Sequence, residues 1–429
     1  MKAIPPKFVP VSLNGLPELF DHFSTPEICV SYLKRIRWQH GYHCPHCGVV
    51  QEPYLLKSGY KCSESGCGKK FSDLKGTIFE NTKINLRLWF AAIYLMVSRS
   101  YGISSAQLAK DIAVTQKTAW FLLHRIREVF NLPYASPQYK KLTDIVEVDE
   151  TFLGGRTSNR PRSKRKDRTQ GRSLVTKTAV FGALQRGGEL RASVIPDTSG
   201  ATLKTMITAW VSTDALMMSD EWKGYSWVST MYRHLQVRHK KKEMTYKEAH
   251  LNGIEGAWAN LKRRWAMLHS IDRKYLQRIV DEFVWYYNHR QLSSEERFHQ
   301  VLEMACNKRV SLEQLRRSAP PMPNRETNYL FAIQKAVEKK HILEVEYINN
   351  NKEKSRRNVE PIGLAIYKDN WHMIGWCHKR RDYRDFKVLR ITRLKDTGKP
   401  FIHNDHPTLE RYLKRNLLPY TFREYRQTG

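Results

Sequence analysis

The chain has 429 residues, 73 of them lysine or arginine against 42 aspartate or glutamate, which leaves a formal charge of +31 with histidine neutral. That surplus suits a polyanionic partner, nucleic acid ahead of a membrane surface. No apolar run is long enough to span a bilayer, and no signal peptide or lipidation motif is read at either terminus, so a cytoplasmic, nucleoid-associated protein is expected rather than a membrane or secreted one. The length predicts about two to four domains.

Residues 17–80 are expected to form an N-terminal helix and a zinc ribbon. Cys44-Pro-His-Cys47 and, after fourteen intervening residues, Cys62-Ser-Glu-Ser-Gly-Cys67 make two short knuckles suited to tetrahedral thiolate ligation of one Zn²⁺. A pair of disulfides is the alternative. A reducing compartment disfavours it, and Cys29, Cys306 and Cys377 read as unpaired thiols. His43 and His46 stand close enough in sequence to replace one thiolate if the wider second knuckle does not close. Four protein ligands leave no open position for a substrate, so the zinc is structural.

Residues 83–131 carry apolar residues at helical spacing in three segments. One runs through Leu88, Phe90 and Ile93, one over 105–112, and one from Thr115 through Trp120 and Leu123 to Val129. Ser104 or Ser105 and Thr115 supply N-cap chemistry. The last two segments, joined by a turn at Ala113 and Val114, read as a helix-turn-helix or as part of a plain three-helix packing module. In the first reading Gln116, Lys117 and Thr118 face the major groove, and Arg125 adds a DNA contact further along.

From 144 to 288 strand-like and helix-like stretches alternate. Strands are expected at 144–152, 175–184, 189–195 and 214–219, and helices at 202–211 and 254–267. A meander followed by strand–helix alternation predicts a mixed α/β sheet of the ribonuclease-H type over 143–298. Asp149 then lies on the first strand and Asp220 at the end of the fourth, as neighbours in the sheet, with a third ligand arriving on the helix. Cutting or joining a phosphodiester at neutral pH calls for divalent ions, and carboxylates are the hard ligands that Mg²⁺ or Mn²⁺ accepts. A lone aspartate at a strand end is usually a cap; three candidate ligands in this order predict a site for two ions ~3.5–4 Å apart. Trp222, Tyr225 and Trp258 read as core or scaffold.

The residues Val-Asp149-Glu-Thr-Phe-Leu-Gly-Gly, Ser-Asp220-Glu-Trp-Lys-Gly-Tyr225, His239 and His250-Leu-Asn252-Gly-Ile-Glu255-Gly-Ala-Trp258-Ala-Asn-Leu-Lys262-Arg263 resemble the transposase of the IS1595 (ISXO2-like) insertion-sequence family, over roughly residues 17–298. The resemblance implies a DDE-superfamily transposase. Such an enzyme cuts double-stranded DNA at the terminal inverted repeats of its element and joins the freed 3′ ends to target DNA, using two divalent ions. Acting on two DNA ends implies a homodimer or larger. In this family the third ligand is asparagine, histidine or glutamate, and this chain offers Asn252 and Glu255 one turn apart on a helix face. The charge of a carboxylate favours Glu255, with Asn252 as its rival. Lys262, two turns along, is placed to hold a DNA phosphate.

Between Arg156 and Arg172 lie eight basic residues, among them Arg162, Lys164, Arg165, Lys166 and Arg168, with almost nothing apolar. A loop that grips phosphates beside the strand of Asp149 is expected there, or else a merely solvated loop. His239 and Arg263 complete the expected DNA contacts.

Residues 299–326 are expected to hold a helix and a linker, the latter marked by the proline-rich run at 318–324. Over 327–415, Leu343-Glu-Val-Glu-Tyr347, Asn370-Trp371-His372-Met-Ile-Gly-Trp-Cys-His378 and Asp382-Tyr-Arg384-Asp-Phe386-Lys-Val-Leu-Arg390 resemble a WYL domain. That resemblance implies a small Sm-like β-barrel sensing a ligand or nucleic acid, with Trp371, His372, Arg384 and Arg390 as contacts. Trp-His-Met stands where the family has Trp-Tyr-Leu. The expected whole is a multidomain chain of α+β and α/β parts. Two further readings stay open: a DNA-binding regulator derived from a transposase, with idle carboxylates and a sensing WYL domain, and a metal-dependent nuclease without strand transfer.

Overall fold

The computed structural model describes residues 10–412 except 40, 132–139, 155–173, 175–176, 238–249, 269–270, 317–324, 349–352, 368–369, 404 and 410. Two helices, α1 (Leu16–His22) and α2 (Pro26–Trp38), open it. Each carries proline in its first turn, where no amide bond is owed, and the Thr25 hydroxyl accepts from the Ile28 amide to cap α2. Three strands of two residues each follow, β1 (Tyr54–Leu55), β2 (Tyr60–Lys61) and β3 (Lys70–Phe71), paired antiparallel in chain order. Strands this short are not self-sustaining. They close over a small core of Trp38, Tyr42, Tyr60, Phe71 and the knuckle cysteines.

The helix α3 (Leu86–Ser98) is apolar on nearly every side and is buried accordingly, from Trp89 through Val97. Next come α4 (Ser105–Asp111) and α5 (Gln116–Arg127). The hydroxyls of Ser104 and Thr115 accept from the amides of Gln107 and Thr118, both at 3.2 Å. Ala113, with φ 53°, makes the turn between the two helices.

The central sheet begins as an antiparallel meander, β4 (Ile145–Leu153), β5 (Thr178–Gln185) and β6 (Leu190–Ile195). After α6 (Gly200–Trp210) the chain returns on the far side, so β7 (Leu216–Ser219) runs parallel to β4 and β8 (Arg233–Gln236) parallel to β7. The order across the sheet is β6-β5-β4-β7-β8. β8 is a fifth strand that the sequence reading did not anticipate, being four residues long with no buried position. Then α7 (Asn252–Met267) crosses β4 and β5 on one face, and α8 (Leu276–Asn288) packs along β6. On the opposite face Phe181 of β5 stacks on Trp210 of α6, ring centres 5.7 Å apart.

The next helix, α9 (Ser294–Cys306), starts in a capping box of Ser293 and Glu296 and returns to the N-terminal core, where Phe298, Val301, Leu302 and Ala305 pack with α2 and α3. The boundary expected between 298 and 299 therefore falls inside a helix. After α10 (Leu312–Arg316) and α11 (Arg325–Lys339) come five antiparallel strands: β9 (His341–Ile348), β10 (Lys354–Tyr367), β11 (Asn370–Cys377), β12 (Asp382–Lys387) and β13 (Ile391–Pro400). Their order is β12-β11-β10-β9-β13, and α11 covers them through Leu330, Ile333 and Ala336. No helix among the described residues is long and apolar enough to cross a membrane.

Candidate active site and metal centres

The two cysteine knuckles meet. The Sγ atoms of Cys44 and Cys67 are 3.9 Å apart, those of Cys47 and Cys62 3.6 Å, and all four lie within 4.8 Å of one another. Tetrahedral Zn–S bonds of about 2.3 Å space sulfurs by about 3.8 Å, so the set fits Zn²⁺. The wider knuckle closes because the amides of Cys67 and Gly68 both donate to the Glu64 carbonyl, Gly68 taking φ 54°. His46 Nε2 instead bonds the Lys70 carbonyl at 3.2 Å, and His43 packs edge-on against Trp38, so neither histidine substitutes for a thiolate. None of the seven cysteines is joined in a disulfide.

In the central sheet Glu147 of β4 pairs with Met218 of β7; the same register carried two places on sets Asp149 beside Asp220. Asp220 is the first residue after β7, nearly buried, and its Oδ1 accepts from the Trp222 amide at 3.0 Å. Glu255 lies in the first turn of α7, on the face of the sheet toward which Asp149 points. One turn on, Trp258 donates its indole N–H to Asp149 Oδ2 at 3.0 Å. That seat depends on Gly182, the residue opposite Asp149 on β5, because a Cβ there would stand 2.4 Å from the indole.

Burial pushes the Asp149 carboxyl up to about 6, and the charges of Asp220 and Glu255 add to the rise against the lowering hydrogen bonds from Glu150 and Trp258. Asp220 and Glu255 thus both act on Asp149, and a cation beside Asp149 would offset that charge. Among the described residues, the four cysteines are the group whose ligand atoms gather within 4.8 Å; the three carboxylates do not. Asn252 is the first residue of α7 and is exposed; the capping position is Leu251, so Asn252 is not the N-cap. Lys262 and Arg263 are exposed on α7, Arg263 bonding Asn260 Oδ1 at 3.1 Å.

The sequence reading passed over Glu147, Gly182 and Arg186. Glu147 is fully buried and is bonded to the Ile254 amide and to Arg186, at 2.9 and 2.8 Å. A glutamate between Val146 and Val148, in a strand buried on both faces, was the available signal, since a buried carboxylate needs partners. Tyr225 and Trp258 are buried as expected; Tyr225 donates to Glu150 on the far face of β4, whereas Trp222 is 39% exposed.

On α5, Gln116 and Lys117 are exposed and Thr118 is half-buried, its hydroxyl 2.9 Å from that of Thr115. Arg125 is corrected from a DNA contact to a core clamp. It is 8% exposed, donates to the carbonyls of Glu80 and Val310, and stacks on Trp89 and Phe121. It stands three residues after Leu122, inside the apolar stripe of its helix, and that periodicity buries it. Arg162, Lys164, Arg165, Lys166, Arg168 and His239 lie outside the described residues.

In the C-terminal sheet Trp371 belongs to the core, which removes it as an open ligand contact. His372 pairs with Asp385, whose carboxyl burial pushes up to about 7. Arg384 is exposed and pairs with Asp382 at 3.2 Å, and Arg390 is half-buried.

Known proteins agree with this layout. Residues 24–70 match the transposase zinc-ribbon domain, 141–288 the ISXO2-like transposase domain, and 328–396 the WYL domain. The chain is 26% identical over 260 residues to an uncharacterized protein in transposable element ISH50 of Halobacterium salinarum, covering 58% of this chain and 85% of that one. It is 31% identical over 74 residues to the DNA-binding transcriptional repressor CapW of Escherichia coli, spanning 17% of this chain and a quarter of the repressor. A solved pre-cleavage Mos1 transpososome is 12% identical over 52% of this chain and 80% of that chain; its TM-score of 0.20 is too low to carry an argument. The polypeptide thus carries, in order, a transposase zinc ribbon, an ISXO2-like transposase domain of the IS1595 family and a WYL domain.

Proposed function

We propose that the chain is an insertion-sequence transposase that binds the terminal inverted repeats of its element, cleaves there and transfers the freed 3′ ends to target DNA. The observation that carries this reading is the convergence of Asp149, Asp220 and the first turn of α7, with the Asp149 carboxyl pushed up first by burial and then by the charges of Asp220 and Glu255. The sheet order, three antiparallel strands then two parallel ones, supports a ribonuclease-H-like core. Two Mg²⁺ or Mn²⁺ ions, when bound, would supply the activated nucleophile and neutralise the departing 3′ oxygen. Asp149 and Asp220 offer oxygens from rigid strand ends. Trp258 fixes one oxygen of Asp149 and so orients the other. Glu255 is the third ligand, and Asn252 is its rival in the same turn. Lys262 and Arg263 would hold the phosphates of the cut strand, and Gln116, Lys117 and Thr118 would read the terminal repeat in the major groove. The protein would act on two DNA ends as a dimer or larger.

A second reading, a transposase-derived DNA-binding regulator with a WYL sensor, is favoured by the likeness to CapW and by the WYL match. The two separate on a labelled duplex bearing the terminal repeat, incubated with Mg²⁺ and wild type, Asp149→Ala, Asn252→Ala or Glu255→Ala. The transposase reading expects cleavage lost in the Asp149 and Glu255 variants and kept with Asn252→Ala. Tight binding without cleavage by the wild type selects the regulator.

A further inference from the structure

The structural elements bearing Asp149, Asp220 and Glu255 are tied together by one ion pair. Glu147 precedes Asp149 by two residues, so both side chains point to the α7 face. Its Oε2 accepts from the Ile254 amide at 2.9 Å and its Oε1 from Arg186 Nε at 2.8 Å. Arg186, in the turn between β5 and β6, also donates to the His250 carbonyl at 2.8 Å and lies 3.1 Å from Met218 Sδ. Ile254 is next to Glu255, and Met218 is two residues before Asp220. The helix has no side-chain cap of its own, because Leu251 offers no acceptor. Gly253 lies flat on the same carboxylate, where a Cβ would stand 2.9 Å from Oε2.

We propose that Glu147 and Arg186 are positioning residues that pin the first turn of α7 to β4 and β7, and thereby set where Glu255 stands relative to Asp149 and Asp220 for divalent-ion binding. The inference rests on the metal-site reading above. Glu147 serves as a helix cap supplied by the sheet: it satisfies an orphan amide and places negative charge where the helix dipole favours it. A buried carboxylate is costly alone, and the Arg186 guanidinium offsets that cost. Neither residue reaches the ions. Glu147 acts through the backbone of α7, and Arg186 through Glu147 and the His250 carbonyl just before the helix, as partners behind a metal ligand do.

Two variants test this in the full-length chain. Glu147→Gln keeps the size and removes the charge. Arg186→Lys keeps the charge and loses the fork that reaches several partners, and it stands in should Glu147→Gln unfold. Amide exchange at Ile254 and Glu255 is measured beside Mn²⁺ binding by electron paramagnetic resonance, with wild type and Asp149→Ala as references. Exchange is expected to quicken roughly tenfold, as loss of a cap implies, and Mn²⁺ affinity to fall by about 10–100-fold. Unchanged exchange overturns the pinning. Faster exchange with wild-type Mn²⁺ affinity overturns the link to the ions while leaving an Asp149-dependent site in place. Equal Mn²⁺ binding by wild type and Asp149→Ala instead sinks the metal-site reading, and this inference with it.

Discussion

Gly182 and Asp149 show how one residue admits another. A Cβ at 182 would overlap the Trp258 indole, so Gly182→Ala must displace the ring from Asp149. Overpacking of that kind costs about 1–3 kcal/mol. The expected outcome is a lower thermal midpoint and a cleavage rate that falls further than the stability loss explains, read by calorimetry and by the duplex assay. Asp149 also predicts a pH dependence. Unfolded, its carboxyl ionises near 3.8; folded and free of ions, near 6. Between those values the folded chain holds a proton that the unfolded chain has lost, so stability falls as pH rises through the window and levels above it. Asp149→Asn should remove that slope in denaturant titrations without Mg²⁺, and Mg²⁺ should restore stability in the wild type most strongly above pH 6. The two aspartates were legible because each interrupts or ends an apolar strand. Gly182 was not, since its meaning lies in a tryptophan 76 positions later in the chain.

Helices and strands were largely legible where apolar periodicity was long. The start of α5 at Gln116 follows from the pattern and from Thr115 chemistry, whereas α7, expected from 254, begins two residues earlier at Asn252. What periodicity could not reveal is how these helices are joined. Glu282 of α8 bonds Arg127 of α5 at 2.7 Å and Arg264 of α7 at 2.8 Å, and all three are buried. Helices α5 and α7 therefore share one buried carboxylate. Glu282→Ala strands two guanidiniums in the interior and should destabilise the chain by about 3–5 kcal/mol, read as a drop in the urea midpoint. At the ribbon, strands of two residues leave the fold dependent on its ion. A zinc chelator should release one Zn²⁺ per chain and melt the signals of Tyr60 and Phe71 while β4 to β8 persist; Cys62→Ser should purify without that zinc.

On the scale of the molecule, the charge of +31 and the resemblance to a transposase zinc ribbon, an ISXO2-like transposase domain and a WYL domain were readable, but the return of α9 to the N-terminal core was not. That return ties the segment after the central sheet to the helices before it, so α5 and the strands of Asp149 and Asp220 are held in one folded unit. Terminal-repeat binding should weaken steeply with salt, by about 10³–10⁵ between 50 and 200 mM if six to ten phosphates are contacted. The WYL domain adds a five-stranded sheet with its own core, Leu343, Val345, Met373 and Phe386 among its members. Strand transfer at the carboxylate site, as proposed above, is open to direct measurement. The direct measurement is joining of a pre-cut terminal-repeat duplex to a supercoiled plasmid in Mg²⁺, scored by sequencing the junctions. Strand transfer at this site gives 3′-end junctions with the wild type and none with Asp149→Ala; tight binding of the repeat with no junctions from the wild type would contradict strand transfer.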